Sequence, residues 1–338
     1  MPNSVKKLRQ HLSIDSLYKL IKTGFEKIRE FNETQKIIPL SDVLMSGFAL
    51  FAIKEPSLLS FDKRRIVDNN LRKIFHISTV PSDTQMRKRL DSLNPKELTF
   101  LYKDVFRQLQ RGKVLEQFQF MNGYYLLSLD GTGYFSSDTI HCASCLEKNH
   151  KKTGTTSYHH QLLGASLVHP DYKEVIPLFP ESITKQDGEK KNDCERNASK
   201  RFFSQLRKDH PHLKLIVVED ALSPNAPHIQ ELQKHNLRYI LSIKEGDHPY
   251  LFDFVKKVSD RGSFTEYACK AKGATHRFRF IHKVPLNESN QDLLQNFIEY
   301  WEITPKRTRH FCWVTDLFVT KSNVYTLMRG GRARWKIE

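Results

Sequence analysis

Hydrophobic positions in the first third of the chain recur at helical spacing. Leu17, Leu20, Ile21, Phe25 and Ile28 form one stripe behind Asp15, which predicts an amphipathic helix capped by that aspartate. Val43 to Ile53 is almost wholly apolar and reads as the central helix of a small bundle. Ser82 and Gln85 have the spacing of a capping box, predicting a helix through Met86 and Leu90, and a further helix is expected from Pro95 to about Arg111. The segment Val80 to Arg89 reads in two ways, as the second helix of a helix-turn-helix or as a solvated helix face. In the first reading Arg87, Lys88 and Arg89 would meet DNA.

The period changes near Gly123. Tyr124 to Leu129 is a short buried-strand pattern that ends in Asp130, and Leu213 to Glu219 is a second one that ends in Asp220. Strands are also expected at Gln161–Val168, at Glu174–Phe179 and at Arg238–Ile243, the second of these on an edge because Pro177 lacks an amide donor. Helices are predicted from Asp193 to Lys208, with Ala198, Phe202 and Leu206 on one stripe, and from Ser223-Pro224 to Asn236. Three strands, helix, strand, helix, strand is the order of a ribonuclease H-like α/β core, a mixed sheet flanked by helices. Gly246 to Trp313 breaks that order with alternating segments such as Thr275–His282, which predict solvated antiparallel strands. The expected organisation is an N-terminal helical region at 1–120, the first part of the core at 121–245, a β-rich insertion at 246–313 and a C-terminal helix at 314–338.

Charge narrows the partner. Lys and Arg number 54 against 38 Asp and Glu, a formal +16 that favours a polyanion through counterion release, although a basic protein with no nucleic-acid role has the same balance. No apolar run is long enough for a membrane span and the N-terminus lacks the core of a signal peptide, so a cytoplasmic, nucleoid-associated protein is expected. The cysteines at 142, 145, 194, 269 and 312 are odd in number and unevenly spaced, which predicts reduced thiols.

Asp130 and Asp220 would both emerge at strand ends, where α/β sheets place ligands, and on adjacent strands they would share hard cations such as Mg²⁺. Each alone also reads as an ordinary turn or cap residue. Glu219 competes with Asp220, but consecutive strand side chains face opposite ways, so only one can join Asp130. Arg334 and Glu338 stand one helical turn apart and would add a guanidinium and a third carboxylate. Trp301 and Trp313 read as core anchors, whereas Trp335 reads as lining a groove. Gln186 to Asp193 reads as a solvated turn.

Cys142-x-x-Cys145, with His141, His150, His159 and His160 nearby, has partial zinc-ligand spacing, and no second clean pair completes it. Structural Zn²⁺ and a polar loop close to DNA are both compatible with it.

Three segments together carry a resemblance. Leu127-Ser128-Leu129-Asp130-Gly131-Thr132, Val217-Val218-Glu219-Asp220-Ala221 and Gly331 to Glu338 resemble the three acidic motifs of bacterial insertion-sequence DDE transposases, in the branch with a β-rich insertion before the last acid. The resemblance spans roughly residues 40 to 338. It implies Asp130, Asp220 and Glu338 as catalytic acids holding two Mg²⁺ or Mn²⁺ ions, and Arg334 as the arginine of the signature Tyr-x-x-Arg-x-x-x-Glu-x(6)-Lys. DNA contact is expected of Arg334, Trp335 and Lys336, with transposon ends and target duplex as partners and a homodimer on DNA. Two departures stand out: Gly331 occupies the signature tyrosine's place, and the signature lysine would fall beyond Glu338. They predict a truncated chain with weak strand cleavage and transfer. A remnant that only binds ends and a hydrolytic nuclease of the same fold are the alternatives.

Overall fold

The computed structural model describes residues 10–29, 37–185 and 194–338, so the predicted turn at 186–193 lies outside the described residues. The chain divides into two units, Met1–Gln117 and Phe118–Glu338.

The first unit is helical: α1 (Ile14–Phe25), α2 (Leu40–Ala52), α3 (Leu58–Val67), α4 (Asn70–Lys73), α5 (Asp83–Leu90), α6 (Thr99–Arg111) and α7 (Val114–Gln117). The cap of α1 is Ser13, whose hydroxyl accepts from the Ser16 amide at 3.2 Å, and Asp15 sits instead in the first turn, where its charge suits the helix dipole. The helices close over Val43, Met45, Phe61, Leu71, Ile77 and Met86. Asp42, fully buried in α2, is neutralised by Lys22 and accepts the Thr79 amide at 2.8 Å. The capping box predicted at Ser82 and Gln85 opens α5.

The second unit is built on a mixed sheet. Its strands are β1 (Tyr125–Ser137), β2 (Leu146–His150), β3 (Thr155–Val168), β4 (Ile176–Pro177), β5 (Glu181–Ile183), β6 (Leu215–Glu219), β7 (Arg238–Ser242), β8 (Thr265–Ala271), β9 (Ala274–Asn287), β10 (Asn290–Ile303) and β11 (Thr308–Thr315). The path across the sheet is β2-β3-β1-β6-β7-β11-β10-β9-β8, with the short β4 and β5 also on β3. β1 and β3 are antiparallel, whereas β1, β6 and β7 are parallel and connected through α8 (Glu195–Asp209) and α9 (Ala226–Lys234). Crossover through a helix is what parallel neighbours require.

Residues 246–313 form antiparallel strands as expected, preceded by a helix, α10 (Pro249–Asp260), that the alternating pattern masked. These strands continue the same sheet, because β11 pairs with β7 through Trp313↔Ser242 to Thr315↔Ile240. They are half buried rather than solvated: Phe278 and Phe280 join Trp313, Leu126, Ile216 and Ile240 in the core beneath α11 (Val324–Arg332). Asn225 caps α9, accepting the His228 amide at 3.1 Å, so Pro227 rather than Pro224 occupies the first turn. Asn236, at φ 51°, ends that helix in the left-handed conformation that asparagine tolerates. Among the described residues no helix is long and apolar enough to cross a membrane, and all five cysteines are free.

Candidate active site

Apolar strands deliver the acids. β1 and β6 run parallel in register from Tyr125↔Leu215 to Ser128↔Val218, so the next residue on the same face of each strand is Asp130 and Asp220. The Leu222 amide donates to Asp220 at 3.0 Å and holds the turn just past β6. Glu219 points to the opposite face, where its carboxylate meets the buried imidazole of His228 at 2.6 Å. Burial opposes a charge on that imidazole, but the adjacent carboxylate outweighs it and raises the His228 pKa.

The C-terminal segment brings the third acid. Residues 333–337 continue α11 as a tighter 3₁₀ turn. The buried Ser128 hydroxyl donates to the Arg334 carbonyl at 3.1 Å, tying this turn to β1. Arg334 is only 6% exposed, and its Nη1 lies 3.7 Å from Asp130 and 3.5 Å from Glu338, so one guanidinium spans two of the three acids. Its plane lies over the Trp335 ring at 4.1 Å, and that ring is exposed. Lys336 is turned elsewhere, donating to the carbonyls of Pro170 and Tyr172.

Asp130 is the electrostatic hub. Burial raises its pKa, Arg334 opposes that, and Glu338 and Asp220 push it further up. Carboxylates that repel one another in a partly desolvated place would be relieved by a dication, but Asp130, Asp220 and Glu338 do not bring their oxygens within 4.8 Å of one another, so the structure leaves this donor set more open than a closed metal site.

A cavity of about 600 Å³ opens beside Asp130 and Asp220, bounded by Glu195, Glu219, His228 and His248. Arg334 and Glu338 approach from the other face, which carries α11, so the strand-end aspartates stand between the two. The sequence reading missed Glu195. This first residue of α8 fills the space left by the absent side chain of Gly131, where a Cβ would come within 2.0 Å of its carboxylate. Burial and then the charges of Asp220, Asp130 and Glu219 raise its pKa, giving a carboxyl that holds a proton more readily than an ordinary glutamate. The one signal available was Gly131 directly after Asp130.

The remaining candidates are dispersed. In α5, Arg87 and Lys88 are exposed, with Arg87 paired to Asp83 at 3.3 Å, while Arg89 donates to the Ile38 carbonyl. Trp313 is a core residue, and Trp301 lies beneath the guanidinium groups of Arg277 and Arg279 at 5.5 and 5.8 Å. Cys142 and Cys145 lie toward the distal end of the β1–β3 hairpin. Their neighbour His160 pairs with Phe135, five residues past Asp130 along the strand, or roughly 15 Å.

Gly331 has a steric reason to be glycine. A Cβ there would lie 2.5 Å from the Trp313 indole nitrogen, so no tyrosine fits the signature position. Compared with models of known protein families and with curated proteins, the chain matches none of them.

Proposed function

We propose that this chain is a DDE-type DNA transposase with a ribonuclease H-like core. The observation that carries the reading is Arg334 bridging Asp130 and Glu338 while Asp130 also feels the charge of Asp220, which relates acids 90 and 118 residues apart in sequence. The strand order supports it: an antiparallel β5-β3-β1 meander followed by parallel β6 and β7 is the arrangement expected of that core.

In this reading Asp130, Asp220 and Glu338 hold the divalent ions. When bound, such a pair polarises both the attacking and the leaving oxygen of an in-line phosphoryl displacement. The chain's own groups do the rest. Arg334 holds two carboxylates in place before DNA arrives and keeps further N–H donors for a phosphate oxygen. The exposed face of Trp335 offers a stacking platform beside it. Lys336, committed to backbone carbonyls, anchors the segment and does not reach for the duplex. Glu195 takes or returns a proton at the cavity edge. The +16 charge draws the duplex in, and synapsis of two ends calls for a dimer on DNA.

The test uses purified protein, Mg²⁺ or Mn²⁺ and a plasmid bearing the DNA that flanks its own coding sequence. The wild type is expected to nick that DNA and join the 3′-hydroxyl to a second molecule. Asp130→Asn and Asp220→Asn should drop both reactions to background while retaining binding. Undiminished cleavage by either variant sinks the assignment. Cleavage without joining assigns a hydrolytic nuclease, and binding without cleavage assigns an end-binding protein.

A further inference from the structure

Remote from the carboxylates, the loop between β1 and β2 folds back onto β3 and brings three soft ligand atoms together. Cys142 Sγ and Cys145 Sγ are 3.7 Å apart, and His160 Nε2 lies 3.4 Å from the first and 3.3 Å from the second. Tetrahedral zinc, with bonds of about 2.3 Å to sulfur and about 2.0–2.1 Å to nitrogen, separates two sulfurs by about 3.7 Å and sulfur from nitrogen by about 3.5 Å. All three observed separations match a common central ion. Hydrogen bonding accounts for them less well, because one neutral imidazole nitrogen serves a single partner while two sulfurs converge on it. The Cys142 amide also donates to Cys145 Sγ at 3.3 Å, which fixes the turn between the two cysteines.

A second trio makes the contrast. Glu299, His310 and Cys312 also cluster, but Glu299 accepts from Arg279 and meets His310 at 2.9 Å. That separation is an ordinary hydrogen bond, and a guanidinium already supplies the positive charge, so an ion has no role there. Among the described residues the one cation whose charge is felt at Cys145 is Lys185, and it is paired with Glu147 rather than bonded to a ligand atom of the Cys142, Cys145 and His160 trio.

The geometry points to a Zn²⁺ site formed by Cys142, Cys145 and His160, with the fourth position open to a solvent ligand beside the exposed Cys142. The ion fastens the 138–145 loop to β3. Through His160 it also fixes the neighbouring rings of Tyr134 and Phe135, whose centroids lie 5.8 and 5.6 Å from the imidazole. Tyr134 is exposed, so the fastening presents an aromatic surface at the distal end of the hairpin.

Metal analysis of the full chain purified from zinc-supplemented medium tests this, and its readout is independent of any activity on DNA. The wild type is expected to carry about one equivalent of zinc. Cys142→Ser and His160→Ala should lose it, while Cys269→Ser and Asp130→Asn should keep it. Cobalt substitution of the wild type decides the matter if the variants fail to fold: tetrahedral ligand-field bands with thiolate-to-cobalt charge transfer are expected. Zinc-free wild type, a disulfide between Cys142 and Cys145 detected by mass, zinc retained in full by folded Cys142→Ser, or cobalt spectra lacking charge transfer would each overturn the assignment.

Discussion

At the scale of single residues, the chemistry rests on how each carboxylate is neutralised. Asp130 shares Arg334 with Glu338, Glu219 has His228, and Glu195, which meets no cation among the described residues, keeps its proton more readily. The Glu219–His228 pair yields a signed prediction. Because the folded-state pKa of His228 is raised, its contribution to stability is complete below the ordinary histidine value of about 6.5 and is lost as pH rises through the raised value. Thermal melts between pH 6 and 9 should therefore show a decline that His228→Leu removes, and that variant should be about 3–5 kcal/mol less stable near pH 6, since it leaves a buried carboxylate alone. A variant melting like the wild type at every pH would refute the pairing. Asp130 and Asp220 were legible in the sequence because an apolar run that stops at an acid is a local pattern. Glu195 was not, since an acid opening a helix reads equally well as a partner for the helix dipole. Its part depends on the space above Gly131, which only the packed sheet creates.

Among the elements, the long apolar strands and amphipathic helices were legible, and the short polar ones were not. β2, with Glu147, Lys148 and Asn149 exposed, and the three-residue β5 have no hydrophobic alternation of their own and exist by pairing with β3. The start of α9 was misjudged for a related reason: Ser223-Pro224 and Asn225-Ala226-Pro227 are equivalent helix openings in sequence, and the hydrogen bond from the His228 amide selects Asn225. Helix α11 takes up only residues 324–332 of the expected 314–338, since 314 and 315 end β11 and 333–337 tighten to a 3₁₀ turn, and the closeness of its approach to the sheet was hidden. Gly330 abuts Phe120 and Gly331 abuts Trp313, so that face tolerates no side chain. Gly331→Ala should lower stability by about 1–3 kcal/mol in urea denaturation through overpacking, and Gly331→Tyr should do worse. An alanine variant with unchanged stability would mean that helix and indole are less tightly apposed.

For the whole molecule, net charge and sheet continuity matter most. If the basic surface serves DNA, affinity for a labelled duplex should fall linearly on a log–log plot against salt, each neutralised phosphate contributing a slope of about −0.9. Binding that ignores salt would remove the electrostatic part of the proposal. The charge was readable from composition, but the continuity was not, because strand partners 75 residues apart leave no local trace: β7 at Ile240 pairs with β11 at Thr315. That pairing has a bearing on engineering. Residues 246–313 look in the sequence like a cassette to be cut out or exchanged, yet their last strand is β7's neighbour and leads on to α11 and Glu338. Excision would bare the backbone edge of β7 to self-association and release Glu338 from its station, so any trimming of the chain would have to begin elsewhere.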